Sequence, residues 1–133
     1  MSAKFLGVGL GFPVTIDEKE KRLAVAEYEQ SVRQAIWIIL ATAKGERVMR
    51  PDFGCGISEL VFAVNDAGTR GLVEYEVEEA LRTWEPRIDV LEVKARSAGA
   101  QEEKLLISID YRVRATDSRF NMVYPFYLER GRP

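Results

Sequence analysis

The stretch LLISIDYRVRATDSRFNMVYPFYL, residues 105–128, decides the fold. Leu105, Ile107, Ile109, Tyr111 and Val113 occupy alternate positions, with Ser108, Asp110, Arg112 and Arg114 on the other parity. That two-residue period is the pattern of a strand with one covered face. Thr116-Asp117-Ser118 supplies a turn, after which Phe120, Met122, Tyr124, Phe126 and Leu128 alternate again, so the two runs predict a long antiparallel hairpin. Pro125 stands inside the second run and has no N–H for a central ladder, which predicts an edge strand or a bulge. Val123 and Tyr127, opposite the Phe120 stripe, are then open to a partner.

Upstream, Ile88, Val90 and Glu92 alternate with Asp89, Leu91 and Val93, apolar on both parities, as if this strand were covered on both faces. Together the three runs make residues 87–130 an antiparallel meander. Pro86 stops the preceding helix, because the residue before a proline is biased to extended geometry. That helix runs from about Thr69 to Trp84 with Val73, Val77, Ala80, Leu81 and Trp84 as its core stripe, Asn65-Asp66 as its cap and the Glu78/Arg82 pair on its solvated face. Ile57 to Phe62 has room for one or two helical turns. A first helix spans Glu27 to Ala43, where Val32, Ile36, Ile39, Leu40 and Ala43 recur at helical spacing and Gly45 follows the end. Trp37 and Ile38 widen its apolar stripe beyond one face, as for a helix covered on more than one side. Helices 27–86 followed by a three-stranded sheet give the class α+β.

Before the first helix, Met1 to Pro13 reads as an extended arm interrupted by Gly7, Gly9 and Gly11. Val14–Asp17 and Leu23–Ala26 read as short strands around the charged turn Glu18 to Arg22. The whole of 1–133 is expected to form one domain, since a chain of this length buries a sizeable core without disulfides or metal.

Composition narrows the function. With 19 basic and 21 acidic residues the net charge is -2, so the chain lacks the positive field that draws nucleic acid. The apolar start is too short and too broken for a signal peptide or a membrane span, which predicts synthesis and use in the cytoplasm. There is no histidine and one cysteine, so the commonest general base and the commonest zinc ligand are missing and no intrachain disulfide can form. No cofactor or metal is expected.

The chemistry-bearing residues are few. Glu46, Asp52 and Glu85 are the clustered acids outside charged helix faces, and a glycosidase would need two of them as a tuned pair. Arg47 and Arg50 lie beside Glu46 and Asp52, and Arg87 beside Glu85, so ion pairing is the simpler fate. Cys55, among Phe53, Gly54 and Gly56, reads as a small buried thiol. Glu85-Pro86-Arg87 holds two opposite charges on a rigid corner between helix and strand. It suits either a docking point for a partner carboxylate or an internal helix-end salt bridge.

Three pieces in order carry a resemblance: the helix from Arg33 to Gly45, the loop GERVMRPDFGCGI at 45–57, and WEPRI at 84–88 followed by strands. The set resembles the baseplate wedge family shared by contractile phage tails, type VI secretion baseplates and extracellular contractile injection systems. Gly45, Glu46, Arg47, Arg50, Pro51, Asp52, Phe53 and Gly54 match its loop, and Glu85, Pro86 and Arg87 its corner. The resemblance implies a structural α+β protein in each wedge of a sixfold baseplate, with the Glu-Pro-Arg corner against larger wedge subunits and tube or hub proteins as further neighbours. It also implies that the last strand, with Phe120, Val123, Pro125 and Tyr127, receives a strand of the sheath protein and starts sheath polymerisation. Assembly in the cytoplasm into a tail or injection particle follows. Some members carry a lysozyme label, which keeps an enzyme in view beside the structural role; a free-standing module binding a small ligand is the third class.

Overall fold

The computed structural model describes residues 18–47 and 49–129. The expected arm at 1–13 and strand at 14–17 lie outside the described residues. In chain order the elements are helix α1 (Glu18–Ala41), a short 3-10 helix (Gly56–Leu60), helix α2 (Ala67–Trp84), and strands β1 (Ile88–Ala98), β2 (Lys104–Val113) and β3 (Ser118–Tyr127). The strands form one antiparallel sheet in the order β1-β2-β3, so the α+β meander is as read.

One expectation is corrected at the start. Glu18 to Arg22 is no turn and Leu23 to Ala26 no strand; both belong to α1, which begins nine residues earlier than its apolar period suggests. Glu18 and Glu20 sit in the first turn, where acidic groups favour the positive end of the helix dipole. The helix extends through this segment by propagation from the packed part, since adding a residue to an existing helix avoids the cost of nucleation. Leu23 stays 61% exposed, so this overhang is not part of the core.

Both helices cover the same face of the sheet. α1 lies along β3: Glu29 Oε2 accepts from Thr116 Oγ1 at 2.7 Å near one end, and Trp37 meets Tyr124 edge to face at 4.6 Å near the other. α2 lies over β1. Between the layers Leu105, Ile107, Ile109, Tyr111 and Val113 are buried, as their alternation requires, and meet Val32, Ile36, Val73, Val77 and Leu81 from the helices in one cluster. Truncating a buried residue such as Ile107 to alanine costs about 2–5 kcal/mol. Asp66 caps α2, its carboxylate accepting from Thr69 N at 2.9 Å; that bond holds its acid below the usual aspartate range.

β1 corrects a second expectation. It is covered on one face only, because a bulge at Leu91 shifts the register: Val90 pairs Tyr111 and Glu92 pairs Asp110. Without the bulge, strict alternation would place Glu92 under the helices. With it, Val93 and Ala95 turn inward and Glu92 turns out, leaving Leu91 46% exposed.

Candidate functional site

The loop between α1 and the 3-10 helix is shaped by its own backbone. Cys55 N donates to Thr42 O at 2.9 Å, Gly45 N to Pro51 O at 2.6 Å and Phe53 N to Arg50 O at 3.0 Å. Gly54 makes this path possible: its φ is +121°, and a Cβ there would stand 2.4 Å from Thr42 O. Gly45 also has a positive φ, +88°, but in open space. Cys55 is fully buried, its Sγ donating to Glu76 O at 3.6 Å, and burial pushes its thiol up to about 11.

The loop closes against the end of α2 through a stack of four side chains. Arg47 lies 4.7 Å over the Phe53 ring, Phe53 meets Trp84 edge to face at 5.1 Å, and Arg50 lies 4.8 Å over Trp84. Exposed cation–π contacts contribute about 0.5–1 kcal/mol each and the aromatic pair about as much again. The expected pairing of Glu46 with Arg47 does not form: Glu46 Oε1 accepts instead from Ala43 N at 2.9 Å, folding the turn, while Arg47 uses the Phe53 face. Asp52 does approach Arg50, at 3.9 Å, with both side chains largely in water, where such a pair is weak.

One residue further along the chain, Glu85 ends α2. Its N donates to Leu81 O at 2.9 Å, and its side chain is only 3% exposed. Arg87 grips it in a fork, Nε to Oε1 at 2.7 Å and Nη2 to Oε2 at 2.8 Å. Hydrogen bonding to the carboxylate raises the guanidinium further above its ordinary value. Arg87 also lies 5.8 Å over Tyr28 of α1, and its carbonyl accepts from Arg114 N at 2.9 Å, so the corner ties α1, α2 and the sheet together. Of the two roles open for Glu85 and Arg87, the internal salt bridge is the geometry present. Pro86 stays exposed between them.

At the opposite side, β3 is an edge of the sheet among the described residues. Ala95 N of β1 donates to Glu74 Oε2 at 2.9 Å, so Ala95 points its backbone away from its partner Ile107. Ile107 must therefore bond toward β3, to Tyr124. The unbroken register then turns Pro125, and with it Asn121, Val123 and Tyr127, outward along a rim that pairs with no other strand among the described residues. The missing N–H of Pro125 falls where no ladder needs it. Val123 and Tyr127 are 43% and 58% exposed on the outer face, whereas Phe120 is on the helix side against Tyr111, 5.8 Å between centroids. Val123, Pro125 and Tyr127 thus share the outward parity, while Phe120, also expected as a sheath contact, lies on the helix side with the stripe opposite them.

Two residues escaped the sequence reading. Trp84 looked like plain core, although its position beside Glu85-Pro86-Arg87 hinted at more, and Glu74, which caps the β1 edge, carries no local signal. Among the described residues no cluster of three or more His, Cys, Asp or Glu could hold a metal, and no helix is long and apolar enough to cross a membrane.

The comparisons with known proteins fit this arrangement. The sequence profile described as baseplate wedge protein gp25 matches residues 26–118, which takes in the loop, the corner and two strands. A baseplate wedge protein gp25 of Enterobacteria phage T4 is 39% identical over 64 residues, 48% of each chain, so the match spans about half the length of that curated relative. Among solved structures, a Geobacter sulfurreducens protein called a tail lysozyme is 59% identical, with 77% of this chain and 92% of that one covered and a TM-score of 0.72. A chain in the baseplate complex of the type VI secretion system shares the fold at 17% identity, 78% and 96% coverage and a TM-score of 0.63. With the matched region covering most of the chain and holding both sequence signatures, the protein belongs to the baseplate wedge protein gp25 family.

Proposed function

We propose that this chain is a non-enzymatic baseplate subunit that docks on larger wedge proteins and offers β3 as the strand on which the sheath begins. The observation that carries the reading is the asymmetry of the two sheet edges. Among the described residues β1 has its rim occupied at Ala95 by Glu74, whereas β3 turns the amides and carbonyls of Asn121, Val123 and Tyr127 outward beside an exposed apolar pair, and the rim is taken up only past its end, where Glu129 N donates to Val61 O at 2.6 Å. An extended arm of a sheath subunit adding to that rim gains backbone hydrogen bonds and packs on Val123 and Tyr127. Each bond contributes about 0.5–1.5 kcal/mol net, so one arm binds weakly and a ring of them cooperatively.

The rigid corner around Pro86 supports docking by shape. Glu85 is consumed by Arg87, so the corner serves a partner as a fixed surface. The acids weighed for catalysis have other work: Glu46 holds the loop and Glu85 the corner. Amide hydrogen exchange tests the strand reading. Addition of the sheath subunit of the same particle should slow exchange at Asn121, Val123 and Tyr127; protection confined to β1 would refute it.

A further inference from the structure

We infer that Arg47 and Arg50, stacked on the Phe53–Trp84 pair, form a recognition platform for an acidic, partly apolar segment of a partner protein. The inference rests on the reading of the chain as a subunit docked to larger baseplate proteins, and it names the chemistry of that contact.

The two arginines sit on opposite ends of one stack and have their flat faces against aromatic rings, at 4.7 and 4.8 Å. Such a contact fixes a guanidinium in place while leaving its N–H edges free for carboxylates, and Arg87 is not available because its fork is closed on Glu85. Arg47 has no carboxylate partner among the described residues, and the side chain of Arg50 is 61% exposed with Asp52 at 3.9 Å. Water screens that last pair, so a better-placed partner carboxylate can displace it.

Met49 decides what the occupant is. It lies between the two arginines in sequence and is 88% exposed, a large apolar side chain held in water beside fixed positive charge. An inorganic phosphate or a phosphate backbone would satisfy the guanidinium groups and leave Met49 wet. A peptide segment with carboxylates around an apolar residue covers both. The loop offers no lysine between the arginines and no row of glycine amides to cradle a phosphate. Trp and Arg around a central apolar side chain are also the composition of energetic centres in protein interfaces.

The test uses the intrinsic fluorescence of Trp84, isolated by a Trp37→Phe background in the full chain. The probes are the acidic octapeptide EELEELEE, its counterpart with glutamine for glutamate, and inorganic phosphate. The acidic peptide should give a saturable, salt-sensitive response that weakens about tenfold or more in Arg47→Gln/Arg50→Gln, a loss of about 1.4 kcal/mol. The glutamine peptide should give no saturable response. Arg47→Lys/Arg50→Lys, which keeps the charge and loses the planar fork, should fold normally and fall between the two. Equal binding by wild type and the glutamine variant, equal binding of the two peptides, or saturation by phosphate in the same concentration range would each overturn the proposal. Co-purification separates it from the function it rests on: a wild-type chain that fails to bring down the larger wedge proteins of its particle refutes the wedge reading, whatever the peptide does. A glutamine variant that brings them down at wild-type level refutes the platform alone.

Discussion

Arg87 holds both carboxylate oxygens of Glu85, at 2.7 and 2.8 Å, across the single residue Pro86. The proline fixes the corner, and the pair locks the end of α2 to the start of β1. Removing Arg87 takes the fork from a carboxylate that is 3% exposed in the intact protein. A fully buried pair broken in this way costs about 3–5 kcal/mol, and because Arg87 itself is about one-third in water the lower end applies. Urea denaturation should show Arg87→Ala destabilised by about 2–3 kcal/mol, and Glu85→Gln/Arg87→Ala by less than the arginine change alone. Additive losses in the double variant would mean that the two side chains are not coupled.

The two left-handed glycines of the loop should respond differently. At Gly45 only the backbone conformation opposes a side chain, so Gly45→Ala should cost about 1 kcal/mol. At Gly54 the added carbon also strikes the carbonyl of Thr42 at 2.4 Å, and Gly54→Ala should cost about 3 kcal/mol or more. Equal effects in the same denaturation series would show that the loop yields at Gly54.

Alkaline pH should weaken the fold through Cys55. Burial raises its thiol from the ordinary 9.0 to about 11, so the folded protein keeps a proton that the unfolded chain gives up. The stability this contributes is intact below pH 9 and is lost as pH climbs toward 11. Tyr111 and Tyr124, also raised by burial, act in the same direction. Thermal melts from pH 8 to 11 should fall less steeply for Cys55→Ala than for wild type, and a thiol reagent should label Cys55 only on unfolding. An identical slope in the variant would remove Cys55 from the account.

Peptidoglycan turbidity and muropeptide assays should detect no cleavage by the purified chain. Glu46→Gln and Asp52→Asn should leave that result unchanged, since one acid bonds a backbone amide and the other a solvated arginine. Turnover abolished by either substitution would establish the enzyme.

How much of this was legible beforehand depended on the range of the interactions. The hairpin, the α2 stripe and the Asp66 cap are local patterns, and each is visible in spacing alone. The β1 bulge at Leu91 was not, because alternation has no marker for an extra residue until the partner strand sets the register. The first nine residues of α1 misled because a mixed charged and apolar run fits several conformations, and only the packed helix beside it selects one. At the site, the loop and corner were found as motifs, but their meeting through Phe53 and Trp84 links residues about thirty apart in sequence, and their roles follow from that meeting.

The central claim, that β3 is the sheath template, is tested most directly by electron microscopy of particles assembled with Val123→Pro. Val123 shares the parity of Pro125 in an unbroken register, so its amide points to the outer rim and the β2–β3 ladder does not use it. The variant should keep its far-ultraviolet circular dichroism and melting temperature close to wild type while losing an outward donor from the strand that a sheath arm must pair with. Repetition of that loss around a ring should abolish nucleation outright. The account predicts complete baseplates and tubes without sheath; normally sheathed particles carrying the folded variant would contradict it.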